Sequence, residues 1–144
     1  MSGLSCSGAF IYALDTNRLL LLHRATSKHS HVWGLVGGKN ELKETPANGL
    51  QREIFEEIGP IDVVKTIPLE WFVSYNNNFN FHTYICIVNH EFIPKLNNEH
   101  DGYSWFTFPN WPMPLHPGLS TTLSKTVIIE KMKTVFSVFD SIYS

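Results

Sequence analysis

The segment Gly38-Lys39-Asn40-Glu41-Leu42-Lys43-Glu44-Thr45-Pro46-Ala47-Asn48-Gly49-Leu50-Gln51-Arg52-Glu53-Ile54-Phe55-Glu56-Glu57-Ile58-Gly59 decides how the rest of the chain is read. Thr45 suits a helix cap and Pro46 the first helical position. Ala47, Leu50, Ile54 and Ile58 recur at three- and four-residue steps until Gly59-Pro60 stops the helix. On such a helix Glu53, Glu56 and Glu57 share one ridge, and they belong to a group of five acids in this stretch out of 13 in the whole chain. Like charges at this spacing weaken a helix by about 0.2–0.5 kcal/mol each, so a helix with no ligand gains nothing from the arrangement. A divalent cation reverses that sign. Carboxylate oxygens suit a hard ion such as Mg²⁺, with Mn²⁺ as the alternative, and the ligand set of this stretch has no paired Cys or His to suit zinc. A solvated charged face is the competing account of the same three residues.

Outward from the helix, Gly34-Leu35-Val36-Gly37-Gly38 reads as a turn whose missing side chains let backbone groups approach a metal or phosphate. Before it, Ala9–Leu14 and Leu19–Leu22 flank Asp15-Thr16-Asn17 and read as a buried hairpin. After it, 63–75 and 81–88 read as strands joined through Asn76-Asn77-Asn78-Phe79-Asn80, and 103–108 as a short aromatic strand. Prolines 109, 112, 114 and 117 forbid regular structure. From Gly118 a second and last helix carries Leu119, Leu123, Val127 and Ile128 towards Phe139. The order of elements predicts an α/β chain with a mixed sheet and helices packed on its faces.

The chain has 144 residues, 43% of them apolar and 17% charged, with a formal charge of -2. That is enough for one core, and the whole of 1–144 is read as a single domain with no repeat or linker. The charge balance argues against an extended nucleic-acid surface. Apolar runs such as Leu19–Leu22 are far too short to span a membrane, and Met1–Ser7 has no signal core, so a cytoplasmic protein is expected. Cys6 and Cys86 stand alone and read as reduced thiols.

Gly38, Glu44 and Arg52-Glu53-Ile54-Phe55-Glu56-Glu57-Ile58-Gly59, at their spacings, closely resemble the Nudix box, the signature of the Nudix hydrolases. Pro60 departs from the family's usual aliphatic residue at the last box position, and Val36 stands where a proline is common. The resemblance implies a Nudix α/β/α sandwich and Mg²⁺-dependent hydrolysis of a nucleoside diphosphate linked to another group X, with water attacking phosphorus. It implies metal ligation by Gly38, Glu53, Glu56 and Glu57, with Arg52 in the catalytic set and Glu44 in support. Arg52 also reads as a partner for Glu56 at the i+4 position. The segment Glu99-His100-Asp101-Gly102-Tyr103-Ser104-Trp105-Phe106 is similar to a family loop whose glutamate reaches the metals. Glu99 is therefore the preferred general base and Glu53 the alternative.

A small-molecule nucleotide is the partner this implies, while the oligomeric state stays open, a dimer included. Arg24, followed by Lys28, His29 and His31, reads equally as a phosphate holder or an exposed basic loop. Tyr75 resembles a tyrosine seen in dinucleoside polyphosphate hydrolases and is carried as a substrate contact. Trp71, Phe72, Tyr75, Phe79 and Phe81 together read as core aromatics on strands, with one or two lining a pocket. Alternatives of other classes are a GDP-mannose-type glycosyl hydrolase, an RNA 5′ pyrophosphohydrolase and a nucleotide sensor that cleaves nothing. The intact box acids weigh against the first and the last.

Overall fold

The structure, a computed structural model, describes residues 3–26, 28–76 and 78–143. Ten elements follow in order: β1 (Leu4–Ala13), β2 (Arg18–Arg24), β3 (Trp33–Gly34), β4 (Val36–Lys39), α1 (Pro46–Ile58), β5 (Val63–Val73), β6 (Phe79–Val88), β7 (His100–Thr107), α2 (Pro117–Leu123) and α3 (Thr126–Tyr143). The hairpin read from Asp15-Thr16-Asn17 forms, with Ile11 opposite Leu20 and Ala13 opposite Arg18. Asn17 closes it at φ 59°, a backbone shape that asparagine tolerates better than most residues.

All seven strands join one sheet. Its centre is β1, which pairs in parallel with β6 along its full length and antiparallel with two strands on its other edge. There the first half, Cys6 to Ala9, pairs with β4, and the second half, from Ile11, pairs with β2. Beyond these, β2 pairs with β3 and β7, and β5 lies outside β6. Among the strand pairs of the described residues β1 with β6 is parallel and the others are antiparallel, so the sheet is mixed, as the order of elements predicts.

Alternation along β1 divides the core. Ala9, Ile11 and Ala13 pack with Leu50, Ile54 and Ile58 of α1 on one face. Phe10 and Tyr12 pack with Leu119 of α2 and Ile128, Met132 and Phe136 of α3 on the other. The result is the α/β/α sandwich.

Two expectations change. The glycine stretch predicted as a turn is strand: Val36, Gly37, Gly38 and Lys39 lie opposite Ala9, Gly8, Ser7 and Cys6. Pairing with β1 satisfies its backbone groups, which no apolar alternation in the sequence could signal. The closing helix is two helices, because the Ser124 amide turns back to the carbonyls of Ser120, Thr121 and Thr122 and ends α2 before α3 begins. Smaller shifts accompany these. The strand β5 ends at Val73 rather than Tyr75, β6 starts at Phe79, inside the predicted loop, and β7 starts at His100. Asn77 of that loop lies outside the described residues. No helix among the described residues is long and apolar enough to cross a membrane.

Candidate active site

The helix α1 is anchored where its sequence says it should be. Thr45 Oγ1 accepts from the Asn48 amide at 3.1 Å, Pro46 opens the first turn, and the Gly59 amide closes the last on Phe55 O. Its polar ridge runs alongside β4. Glu57 is 2% exposed, and its Oε1 accepts from the Gly37 amide at 2.8 Å. Glu53 reaches the next residue: a Cβ added to Gly38 would lie 2.7 Å from Glu53 Oε2. A side chain at Gly38 would therefore displace that carboxylate. At Gly37 a Cβ would lie 2.1 Å from Ser7 O, with φ at 155°. Gly37 requires glycine, because its backbone is pressed against β1, whereas at Gly38 it is the Glu53 carboxylate that would have to give way.

Arg52 holds the ridge in place. Its Nε donates to Glu44 Oε2 at 2.8 Å, Nη1 to Glu53 and Glu56 at 3.0 Å each, and Nη2 to Lys39 O at 2.9 Å and Glu44 Oε1 at 3.1 Å. The guanidinium thus ties the helix to the strand before it and to Glu44. Glu44 also accepts from the Glu41 amide at 2.7 Å. Arg52 holds the Glu44 carboxyl below its ordinary range, and Glu44 foremost raises Arg52 in turn.

The inner acids move the other way. Burial pushes the Glu57 carboxyl up to about 8, with the charges of Glu53 and Glu99 adding and the Gly37 amide and Arg24 opposing. Burial raises Glu53 as well, against Arg52, with Glu56 and Glu99 contributing. Glu99 is exposed in the loop before β7, and its carbonyl accepts from the Ala25 amide at 2.9 Å. The segment it terminates lies close enough for its charge to act on both inner acids. The charge of Arg24, at the end of β2, acts on Glu57 with the opposite sign.

Among the described residues no three Asp, Glu, His or Cys side chains converge into a ready-made cage. Arg52 draws Glu56 outward. What remains is two crowded carboxylates, one buried with a single backbone partner, against the half-buried backbone of two glycines. All the donors are oxygen, and a divalent cation would offset the burial that chiefly raises Glu53 and Glu57, together with the repulsion that adds to it. The residues fit a hard cation.

On the opposite face of β4 opens a cavity of about 470 Å³. Gly37 and Gly38 border it at one end with Arg24, Lys28, His29 and His116, and Glu70, Phe72 and Lys125 border it at the other. Arg24 Nε is buried with no hydrogen-bond partner, and its Nη2 donates weakly to Lys28 O at 3.3 Å. The rings of His29 and His116 meet edge to face at 4.8 Å. Burial keeps His116 below the usual histidine range, with Arg24 and His29 adding to the effect. These groups form a basic mouth beside the acids, the arrangement a phosphate chain needs.

The structure brings together Gly38, Glu44, Arg52, Glu53, Glu56 and Glu57, with Glu99 and Arg24 at the margin. Tyr75 stands fully exposed beyond the end of β5 and does not border the cavity. Phe72, Phe79 and Phe81 border it, whereas Trp71 is 67% exposed and stacks on His82 outside it. Sequence reasoning missed Glu70, Thr83, His116 and Lys125, which carry no motif and reach the cavity from four separate segments.

Comparison with known proteins agrees with this geometry. A family model described as the NUDIX domain matches residues 5–123. The chain therefore belongs to the Nudix family, hydrolases acting on phosphoanhydride bonds. It is 32% identical over 111 residues to the dihydroneopterin triphosphate diphosphatase of Haemophilus influenzae, an alignment covering 66% of this chain and 68% of that one. It is 42% identical over 55 residues to a MutT-like protein of Streptomyces ambofaciens, covering 38% of this chain and 34% of that one. The fold matches the crystal structure of a MutT NUDIX hydrolase from Burkholderia pseudomallei at TM-score 0.66 and 24% identity, over 88% of this chain and 99% of that one.

Proposed function

We propose that the protein is a divalent-cation-dependent pyrophosphohydrolase of nucleoside diphosphate compounds, with Mg²⁺ as its ion, Mn²⁺ as the substitute, and water attacking at phosphorus. One observation carries this reading. The two-glycine strand β4 has crowded, proton-hungry carboxylates on one side and a nucleotide-sized cavity with a basic mouth on the other. Glu53, Glu57 and the Gly38 carbonyl would hold the ion, and Glu56 would join them by turning away from Arg52. When bound, it supplies electrostatic stabilisation of the charge that builds on the phosphates.

The chain's own residues do the rest. Arg24, with an unpartnered Nε at the cavity mouth, binds the phosphate chain and aims it at β4. Glu99 takes the proton of the attacking water, with Glu53 as the alternative base. Arg52 is a positioning residue, since its nitrogens are engaged by Glu44, Glu53, Glu56 and Lys39 O, and Glu44 fixes it. Tyr75 has no part in this reading. The two free thiols, Cys6 and Cys86, suit a reducing cytoplasm. The relatives' named substrates, a pterin triphosphate above all, belong to the same chemical class and enter the test panel.

The test is hydrolysis of a panel of nucleoside triphosphates, dihydroneopterin triphosphate, ADP-ribose and a dinucleoside polyphosphate, with Mg²⁺, in ¹⁸O-labelled water. Label in a phosphate product is the expected result. Label in a released sugar, or no product from any member with either ion, overturns the reading.

A further inference from the structure

Cross-strand register lays out the cavity floor. Gly37 lies opposite Gly8, Gly8 opposite Thr83, and Thr83 opposite Glu70, so one row crosses β4, β1, β6 and β5 on a single face. The first two members have no side chain and the third a small one. The row is thus a trough about 14 Å long, three strand spacings, leading from the glycines beside the acids to a carboxylate, with the Phe81 ring and Leu35 leaning over it at Gly8, 3.1 and 3.3 Å from where a Cβ would stand. One step along, Phe72 and Phe81 are partners in the next row and form an aromatic side wall.

Glu70 ends the trough in a defined setting. Its side chain is 11% exposed, its Oε2 lies 2.5 Å from Lys125 Nζ, and its Oε1 accepts from Thr122 Oγ1 at 2.9 Å. Lys125 Nζ also sits 5.2 Å from the centre of the Phe72 ring. Each carboxylate oxygen can accept twice, so each keeps one acceptor site free. The head of the trough therefore offers an ammonium donor and two acceptors side by side, above an aromatic ring.

We propose that Glu70, with Lys125, selects substrates carrying a 2-amino-4-oxopyrimidine ring, the edge shared by guanine and pterin. This rests on the reading of the cavity as the substrate site. The ring carbonyl accepts from Lys125, the adjacent ring N–H and exocyclic amino group donate to the two Glu70 oxygens, and the ring stacks along Phe72 and Phe81. Adenine sets a bare ring nitrogen against the carboxylate, and uracil sets a second carbonyl there. Both repel it. A wrong base leaves Glu70 and Lys125 satisfied by each other, which moderates the discrimination below that of a site stranded without partners.

The experiment uses the full chain with Mg²⁺ and compares GTP, dihydroneopterin triphosphate, ATP and UTP. Binding of the α,β-methylene analogues of GTP and ATP is measured alongside. Wild type should favour the guanine or pterin compound over ATP by about 100-fold in kcat/KM, and the ratio of those two reports which ring is the source. Glu70→Gln should collapse the preference over ATP to about threefold, mainly through KM, and Lys125→Met should lose about tenfold of it. A purely structural Glu70 would lower activity on all substrates alike, and that result, or a wild type indifferent to base, overturns the proposal. Thermal unfolding checks each variant, and Lys125→Met decides if Glu70→Gln does not fold. If nothing is hydrolysed the catalytic reading fails, and the analogues decide separately: tighter binding of the guanosine analogue, lost in the variants, sustains the proposal, and equal binding overturns it.

Discussion

Gly49, in the first turns of α1, is a position where alanine should ordinarily help, since glycine inside a helix costs about 1 kcal/mol. Here it should harm. A Cβ on Gly49 would lie 2.0 Å from Asn40 Oδ1 and 2.8 Å from Asn40 Cγ. Asn40 is 7% exposed, its Nδ2 donates to Ser5 Oγ at 2.9 Å and its amide to Ser5 O at 2.8 Å, so its side chain cannot swing clear without breaking a bond. Overpacking of this kind costs about 1–3 kcal/mol and the lost hydrogen bond about 1 more. Against a helix gain of about 1, Gly49→Ala should destabilise by about 1–3 kcal/mol. Asn40→Ala alone removes the Ser5 bond but also a buried Oδ1 that has no partner, and should be within about 1 kcal/mol of neutral. The double variant keeps the helix gain and loses the clash, so it should exceed Gly49→Ala by about 2–4 kcal/mol, a coupling well outside additivity. Urea unfolding of the four proteins measures the cycle. A Gly49→Ala protein more stable than wild type, or additivity within about 0.5 kcal/mol, would refute the reasoning.

Three further outcomes are expected. Excess chelator should abolish hydrolysis and Mg²⁺ or Mn²⁺ restore it, while Glu57→Gln, whose amide oxygen can still accept from Gly37, should fold normally and lose turnover by orders of magnitude in steady-state assays. Glu99→Gln should lower kcat by about 10²-fold or more, whereas Glu130→Gln, on the exposed side of α3 beside Lys133, should leave it unchanged. Arg18 holds the Glu91 carboxyl below its ordinary value of 4.5, so the pair's stabilisation is complete above that pH and vanishes as pH falls through the lowered folded value. The Tm difference between wild type and Glu91→Gln should follow that course.

What the sequence revealed and what it hid divide along physical lines. Thr45, Pro46 and Gly59 act locally, through a cap, a fixed φ and a stop, so α1 is legible to the residue. Asp15-Thr16-Asn17 acts locally too, and the hairpin follows. By contrast, β4 is a strand only because β1 lies beside it, and nothing in Val36-Gly37-Gly38-Lys39 announces that pairing. The end of α2 depends on the Ser124 amide rather than on a proline or glycine, so it is invisible to periodicity. The same split governs the site. Glu53, Glu56 and Glu57 share one helix and can be read together, whereas Glu70, Thr83, His116 and Lys125 meet only through the sheet register and the return of α2 across it.

The strand β4 also acts as a bulkhead. Acids press on it from the α1 side and the cavity opens from the other, and only glycine backbone stands between them. The residues that lay out the far end of the trough, Thr83, Glu70 and Phe72, sit on β5 and β6 and share no side-chain hydrogen bond with Glu53, Glu56 or Glu57. A population of variants could therefore exchange those far residues and sample new substrates while the hydrolytic apparatus stays intact, so drift in ligand preference would not pass through inactive intermediates.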